Sequence, residues 1–460
     1  MDVEFSGAAR GVTGSCHIVR VGGRTVLLDC GLFQGRRAET HERNRRLPRE
    51  VDEIDAIVLS HAHIDHSGRL PFLVSRGYRG TIWCTPATRD LCAIMLADSA
   101  HIQQKDAEFL ARRGRSFIEP LYGADDAAAA TALMIGVPCR QPIEIVPGVQ
   151  LTFTEAGHIL GSASVALDCT EKGVTRRLVF SGDIGRPGLP IIRDPVPPPG
   201  ADAVIMESTY GDRDHTPVVD ARARLGEIVR ETAARGGRIL IPAFAVGRTQ
   251  EILYELHILR RAGAIPEIPV FIDSPLAISA TAIFAMHADL FDRSETLVST
   301  VSDLFDFPLL HFTREVEASK ALNSRRGPMI IVSASGMAES GRILHHLANG
   351  APDPRNTVLI VGFQAEHTLG RRIVEKRPTL RIFGEEVRLR ARVEVLNGLS
   401  AHAGRTELLE WLDAVAAGGQ RPRRVWLVHG EDGPRESLAA ELAARGFDAA
   451  SPASGERHDF

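Results

Sequence analysis

The six residues His61-Ala62-His63-Ile64-Asp65-His66 constrain this chain more than any other stretch. Three imidazoles and a carboxylate at this spacing cannot form one helical face, where metal ligands recur at i and i+4. The apolar run Ile54–Ser60 leads straight into them, and Ser67-Gly68-Arg69 follows. That pattern predicts a strand ending in a turn that opens into a helix. Neither core packing nor a solvated surface accounts for such a cluster, whereas imidazole and carboxylate are ligands that zinc takes. We read the segment as a metal-binding turn.

One turn cannot complete two metal sites, so further ligands must come from other strand ends. His158 lies in Glu155-Ala156-Gly157-His158-Ile159-Leu160-Gly161-Ser162, between two predicted strands. Asp183 follows the strand Leu178–Ser181, Asp29 closes Val26-Leu27-Leu28-Asp29, and His402 sits in Leu399-Ser400-Ala401-His402-Ala403. Taken singly, each reads as a turn aspartate or a loop histidine. Together, all beside glycine or small residues at strand ends, they form a set.

A chain of 460 residues exceeds what one core usually encloses, so two domains, or one with a large insertion, are expected. Short strands with Gly-rich turns open the chain: Val3–Ser6, Cys16–Val21 and Thr25–Asp29, with a hairpin turn at Val21-Gly22-Gly23-Arg24. Residues 86–112 and the Ala-rich 124–135 read as helices, and Leu151–Thr154 and Ser164–Asp168 return to strand. The Pro-rich stretch Asp194–Gly200 punctuates the chain. Beyond Ala203–Glu207, strands and helices alternate, the signature of a parallel α/β sheet. Near Val393–Leu396 the first pattern resumes, ending in strand Arg424–Val428 and a helix. These readings divide the chain into residues 1–208, an inserted 209–388, and 389–460.

Composition removes other classes. No apolar run reaches the roughly 18 residues that span a bilayer, and the amino terminus lacks the features of a signal peptide, so a cytoplasmic location is expected. The six cysteines form no Cys-x-x-Cys pair, which argues against a zinc ribbon or a disulfide framework. A net charge of −4 provides no global attraction to nucleic acid, so any such partner needs a local basic groove. Nearly all basic residues are arginine, lysine occurring only at 105, 172, 320 and 376.

With these residues in view, the chain resembles the metallo-β-lactamase superfamily. Asp29, the His61–His66 segment, His158 and Asp183 match its four motifs in order. Met206-Glu207-Ser208-Thr209-Tyr210-Gly211 resembles acidic motif A of the β-CASP branch, and Ser400-Ala401-His402 resembles its motif C. Ile241–Arg248, Asp273-Ser274-Pro275-Leu276-Ala277 and Val428-His429-Gly430-Glu431 are similar to that branch as well. Two positions depart from the pattern: Gly404 where the branch often has aspartate, and Arg372 at the position of motif B.

The resemblance implies an αββα sandwich with an inserted α/β β-CASP domain containing a parallel sheet. It implies two Zn2+ per chain, one held by His61, His63 and His158, the other by Asp65, His66 and His402, with Asp183 bridging. Asp29 would orient ligand histidines, and Glu207 would bond His402 and serve the leaving group. His429 reads as structural or rim, and His345-His346 as a partly exposed helical pair. Two metal ions about 3.5–4 Å apart can hold a hydroxide and clamp an in-line transition state. With the RNA substrate that the resemblance implies, the expected reaction is hydrolysis of single-stranded RNA, with DNA as an alternative, leaving a 5′-phosphate and a 3′-hydroxyl.

The insertion would supply phosphate donors: Ser335 and Gly336 in the turn Ser333–Met337, and the Gly362–Gln364 turn with Arg372 and His367 after it. Arg248 reads equally as a phosphate contact or a helix-start surface residue. Two competing functions share the fold: a hydrolase of a small ester or thioester, and an inactive RNA-binding subunit. The second-domain insertion argues against the former and the complete ligand set against the latter. A monomer and a homo-oligomer both stay open.

Overall fold

A computed structural model describes the chain except residues 36, 113–118, 293–304, 306 and 363, and the side chains of 37, 38, 109, 110, 112 and 397. Phe363, in the predicted Gly362–Gln364 turn, lies outside the described residues. The chain forms two compact units. Met1–Pro187, Arg193–Asp214 and His402–Phe460 make the first, and Gly188–Ile192 with His215–Ala401 the second.

The first unit is built on two seven-stranded mixed sheets. One sheet runs Arg457–Asp459, Asp2–Gly7, Cys16–Val21, Arg24–Leu28, Ala56–Val58, Thr81–Cys84, Met134–Gly136. Its first hairpin is the expected one: Val21 pairs with Arg24 across Gly22 and Gly23, both at positive φ (56° and 80°), as a two-residue turn requires. The other sheet runs Ala449–Ala450, Arg424–Val428, Ala203–Glu207, Val174–Phe180, Ala163–Glu171, Val149–Glu155, Ile143–Val146. The Ala-rich helix ends at Ala132 rather than 135, because Met134 and Ile135 pair in parallel with Ile82 and Trp83. Strand pairing overrides helix propensity there.

Alternation along the strands decides which face each residue serves. Phe5, Val26, Leu28, Phe153, Phe180 and Ile205 meet between the sheets. Each fully buried phenylalanine there contributes roughly 1.5–3 kcal/mol, so the sandwich holds its strand ends firmly. Their neighbours Val179, Val204 and Met206 face outward and pack with Leu408, Leu412, Leu438 and Leu442 of the helices Arg405–Ala417 and Asp432–Ala444. The long helix Pro86–Arg112 contacts the strand Met134–Gly136 of the other sheet. This is the αββα arrangement.

Direction matters for the site. Val149–Glu155 and Val174–Phe180 both run antiparallel to the strand between them, so they share one direction. Ala203–Glu207 and Arg424–Val428 continue that direction in parallel. The carboxyl ends of all four strands therefore emerge on one edge. In the first sheet Arg24–Leu28 and Ala56–Val58 are also parallel, with Leu28 opposite Val58.

The second unit carries a six-stranded, all-parallel sheet in the order Leu310–Phe312, Val270–Ile272, Met329–Ser333, Arg238–Pro242, Thr357–Ile360, Arg392–Val395. Three of its inner strands, Val270–Ile272, Met329–Ser333 and Thr357–Ile360, are buried throughout, and the fourth, Arg238–Pro242, is buried from Ile239 on, as strands covered on both faces must be. Arg392–Val395, expected to return to the first domain, instead pairs with Thr357–Ile360. The helical pair His345-His346 is partly exposed, as expected: His345 is exposed and His346 is not. His346 is buried, its Nε2 2.6 Å from Oδ2 of buried Asp273, which accepts from Arg342 through Oδ1 at 2.7 Å.

Among the described residues, no helix is long and apolar enough to cross a membrane. The six cysteines are free thiols, and all but Cys139 are buried.

Candidate metal centre

The strand ends of the first unit bring together the residues that the sequence singled out. Asp29 follows Leu28 directly, at φ 61°, a left-handed conformation that aspartate tolerates better than most residues. His61 follows the strand Ala56–Val58 by three positions, His63 caps the short helix Ile64–Ser67, and Asp65 and His66 lie in its turn. His158 lies beyond Val149–Glu155, Asp183 beyond Val174–Phe180, Glu207 ends Ala203–Glu207, and His429 follows Val428. Two glycines allow the loops to close on each other. A Cβ on Gly185 would stand 1.7 Å from the Gly157 carbonyl oxygen, and one on Gly31 only 1.6 Å from that of Asp65.

Two groups of ligand atoms result. In the first, His63 Nδ1 lies 3.2 Å from both His61 Nε2 and His158 Nε2. Asp183 Oδ2 lies 3.5 Å from His61 Nε2 and 3.6 Å from His158 Nε2. In the second, His66 Nε2 is 3.2 Å from His429 Nε2, which is 3.6 Å from Asp65 Oδ2. Asp183 Oδ1 reaches this group, 3.3 Å from His66 Nε2 and 3.6 Å from His429 Nδ1. The two oxygens of one carboxylate thus face two different groups.

Oxygens behind the rings orient them. Asp29 Oδ2 lies 2.6 Å from His66 Nδ1 and accepts from the hydroxyls of Ser15 and Ser60 at 3.0 Å. Its Oδ1 accepts from the Ser60 backbone N–H at 2.8 Å. Ser60 Oγ also stands 3.1 Å from His61 Nδ1. Glu207 Oε1 accepts from the Ile184 backbone N–H at 2.6 Å and lies 3.2 Å from His402 Nδ1.

Electrostatics separate the histidines. Burial holds His61 well below the usual imidazole range and His63 down at about 4, leaving neutral rings with lone pairs to offer. Burial opposes the charged form of His66 as well, but Asp183 and Asp29 overcome it and push its pKa well up. Burial also works against the Asp65 and Asp183 carboxylates, yet the surrounding imidazoles hold both below the ordinary range. For His402, burial is outweighed by Glu207 and then Asp183, which lift it to about 9.

This donor set fits zinc. Four ligands placed tetrahedrally about 2.0–2.1 Å from one zinc stand roughly 3.3 Å from each other. The observed spacings of 3.2–3.6 Å bracket that value in both groups. His63 Nδ1, with one proton or one lone pair to offer, cannot form good hydrogen bonds with both nitrogens that face it at 3.2 Å, and a shared cation resolves the conflict.

One expectation needs correction. His402 does not join Asp65 and His66; His429 does, because the strand Arg424–Val428 lies beside Ala203–Glu207 and aims its end at them. His402 instead comes from a loop, pairs with Glu207, and stands 3.9 Å from Asp183, forming a third acidic–imidazole group. The signal for His429 was present: Val428-His429-Gly430 is a histidine directly after an apolar strand.

In the second unit the expected phosphate contacts fare unevenly. Arg248 is neither a surface residue nor a free cation: it is buried and ion-paired with Glu251, one helical turn on. Ser335 and Gly336 do not open a helix, since the next begins at Ile343; the Ser335 hydroxyl accepts from the Glu339 N–H at 3.1 Å, and Gly336 accepts from Gln364 at 3.0 Å. The short helix Leu369–Val374 is capped by its own Thr368 hydroxyl. Arg372 and His367 are exposed.

Comparison with known proteins bears on this geometry. Family models match in three places: "Metallo-beta-lactamase superfamily" over residues 9–221, "Beta-Casp domain" over 249–373, and "Zn-dependent metallo-hydrolase RNA specificity domain" over 386–452. Ribonuclease TTHA0252 of Thermus thermophilus is 40% identical over 98% of both chains. The transcription termination factor FttA of Methanosarcina mazei is 31% identical over 96% of this chain and 68% of its own. Endoribonuclease ysh1 of Schizosaccharomyces pombe is 30% identical over 95% of this chain, which spans 55% of that longer protein. A solved structure of a protein of unknown function from Enterococcus faecalis V583 superposes with a TM-score of 0.55 over 99% of each chain at 13% identity, a likeness of fold alone.

Proposed function

Since the chain belongs to the metallo-β-lactamase superfamily as a β-CASP ribonuclease homologue, we propose that it is a two-zinc ribonuclease cleaving single-stranded RNA to 5′-phosphate and 3′-hydroxyl ends. The observation that carries this reading is Asp183, one oxygen towards His61 Nε2 and His158 Nε2, the other towards His66 Nε2. In this reading His61, His63, His158 and Asp183 hold one ion, and Asp65, His66, His429 and Asp183 the other. Zinc, when bound, supplies Lewis acidity, making hydroxide available near neutral pH and offsetting charge on a phosphoryl group.

The chain's own residues do the rest. Asp29 and Ser60 hold His66 and His61 by their Nδ1 atoms, so each ring presents Nε2. Against the effect of burial, Glu207 and then Asp183 raise the pKa of His402, whose Nδ1 lies on Glu207 and whose Nε2 is available as a donor. We assign it the proton that the departing O3′ takes up, which leaves a 3′-hydroxyl on one product and the phosphate on the 5′ end of the other. Exposed His367 and Arg372 are the side chains we assign to phosphate contact in the second unit. A cytoplasmic location suits six free thiols.

The test is incubation of the purified chain with end-labelled single-stranded RNA and with DNA of the same sequence, with and without a chelator. The reading expects RNA cleavage that chelation and Asp65→Ala both abolish, and products that a 5′-phosphate-dependent exonuclease accepts. Chelator-resistant cleavage, or products with 5′-hydroxyls, would refute it; cleavage of DNA alone would move the substrate.

A further inference from the structure

The segment Glu207-Ser208-Thr209 grips the segment Val428-His429-Gly430 more tightly than strand pairing requires. The Ser208 hydroxyl donates to the Val428 carbonyl at 2.7 Å, and the Ser208 N–H lies 3.3 Å from the His429 carbonyl oxygen. A Cβ on Gly430 would stand 2.3 Å from Ser208 Oγ. The His429 N–H is held by the Ala8 carbonyl at 2.7 Å, and its backbone sits at φ 48°. Within this grip lies Thr209, 3% exposed, with Oγ1 3.0 Å from the His429 carbonyl oxygen and 3.2 Å from His429 Nδ1.

A threonine hydroxyl has one proton to donate and lone pairs to accept with. A carbonyl oxygen can only accept. Both contacts are hydrogen bonds only if the hydroxyl donates to the carbonyl and accepts from the ring. The alternative, donation to Nδ1, would leave two oxygen lone-pair sets facing at 3.0 Å in a buried place. The ring must then carry its proton on Nδ1, so Nε2 keeps its lone pair towards His66 and Asp65. Asp183 Oδ1, the other acceptor near Nδ1, is 3.6 Å away, beyond hydrogen-bond reach.

We infer that Thr209 is a positioning residue that fixes the Nδ1–H tautomer of His429 and thereby makes Nε2 a metal ligand. The inference rests on His429 being a ligand of the second ion. It treats Glu207 and Thr209, two residues apart, as performing one task on two histidines, each presenting an acceptor to Nδ1.

The test uses the full chain labelled with 15N-histidine and stripped of metal, with His429 identified by loss of its signals in His429→Gln. Long-range 15N–1H correlations report which ring nitrogen is protonated. Wild type and Thr209→Ser are expected to carry the proton on Nδ1, and Thr209→Val to lose that preference. Competition with a chromophoric chelator, using Zn2+ alone, should show one of two ions bound roughly 10- to 100-fold more weakly in Thr209→Val and near normally in Thr209→Ser. Wild-type His429 protonated on Nε2 overturns the inference without any variant. So does a Thr209→Val chain binding both ions normally while His429→Gln loses one. If His429→Gln itself retains both ions, the ligand assignment fails, and this inference with it.

Discussion

Asp29→Asn tests the support beneath the second metal group with almost no change of shape. Asparagine tolerates the left-handed backbone at this position, φ 61°, so strain is not the variable. What changes is one acceptor oxygen, which becomes a donor. If the amide nitrogen takes the Oδ1 side, it faces the Ser60 backbone N–H, now 2.8 Å from an acceptor, and that buried donor loses its partner. If it takes the Oδ2 side, the hydroxyls of Ser15 and Ser60 can turn round and accept, but His66 Nδ1, at 2.6 Å, cannot while it is protonated. The ring must then carry its proton on Nε2, pointing it at Asp183 Oδ1 and His429 Nε2 where a lone pair is needed.

The first outcome costs about 1–3 kcal/mol of stability, or roughly 2–4 °C in melting midpoint per kcal/mol for a domain of 150–250 residues. The second weakens metal binding roughly 10- to 100-fold. Thermal unfolding of the metal-free chain and a zinc competition titration separate the two, and at least one must move. A variant with an unchanged melting midpoint and wild-type affinity for both ions would refute the reasoning.

Three further outcomes follow from the same geometry. His402→Ala should keep the wild-type metal content by elemental analysis yet cleave RNA about 10²–10⁴-fold more slowly, whereas His429→Ala should lose one ion. Because His402 acts as an acid, activity should fall as pH rises through its pKa, about 9 before bound dications pull it down; Glu207→Gln removes the carboxylate that raises it, so the descending limb of the pH–rate profile should move to lower pH. Asp273→Ala deprives half-buried Arg342 and buried His346 of the carboxylate they share in the second unit and should destabilise by about 1–3 kcal/mol, read by chemical unfolding, with metal content unchanged.

Much of the site was legible because its residues sit where strands end, and strand ends can be read from apolar runs. Asp29, His61, His158 and Asp183 each follow such a run, and the structure brings all four to one edge. The assignment between His402 and His429 was not legible in the same way. Both follow small or apolar residues, and the choice depends on which strand lies beside Ala203–Glu207, a fact of sheet order that local pattern does not carry. Likewise Arg248 begins a helix, as its neighbours indicate, but its burial against Glu251 is decided by tertiary packing. The strand Arg392–Val395 has short apolar alternation that suits either unit, and only its pairing with Thr357–Ile360 assigns it.

The central claim is that Asp183 stands between two metal ions and that His429, not His402, completes the second. Anomalous diffraction at the zinc edge, from crystals of the full chain grown with zinc, tests it directly. Two peaks about 3.5–4 Å apart are expected, one bound by His61, His63 and His158, the other by Asp65, His66 and His429, with Asp183 touching both. A single peak, or a second one ligated by His402 with His429 outside the roughly 2.0–2.1 Å bonding distance, would contradict the account.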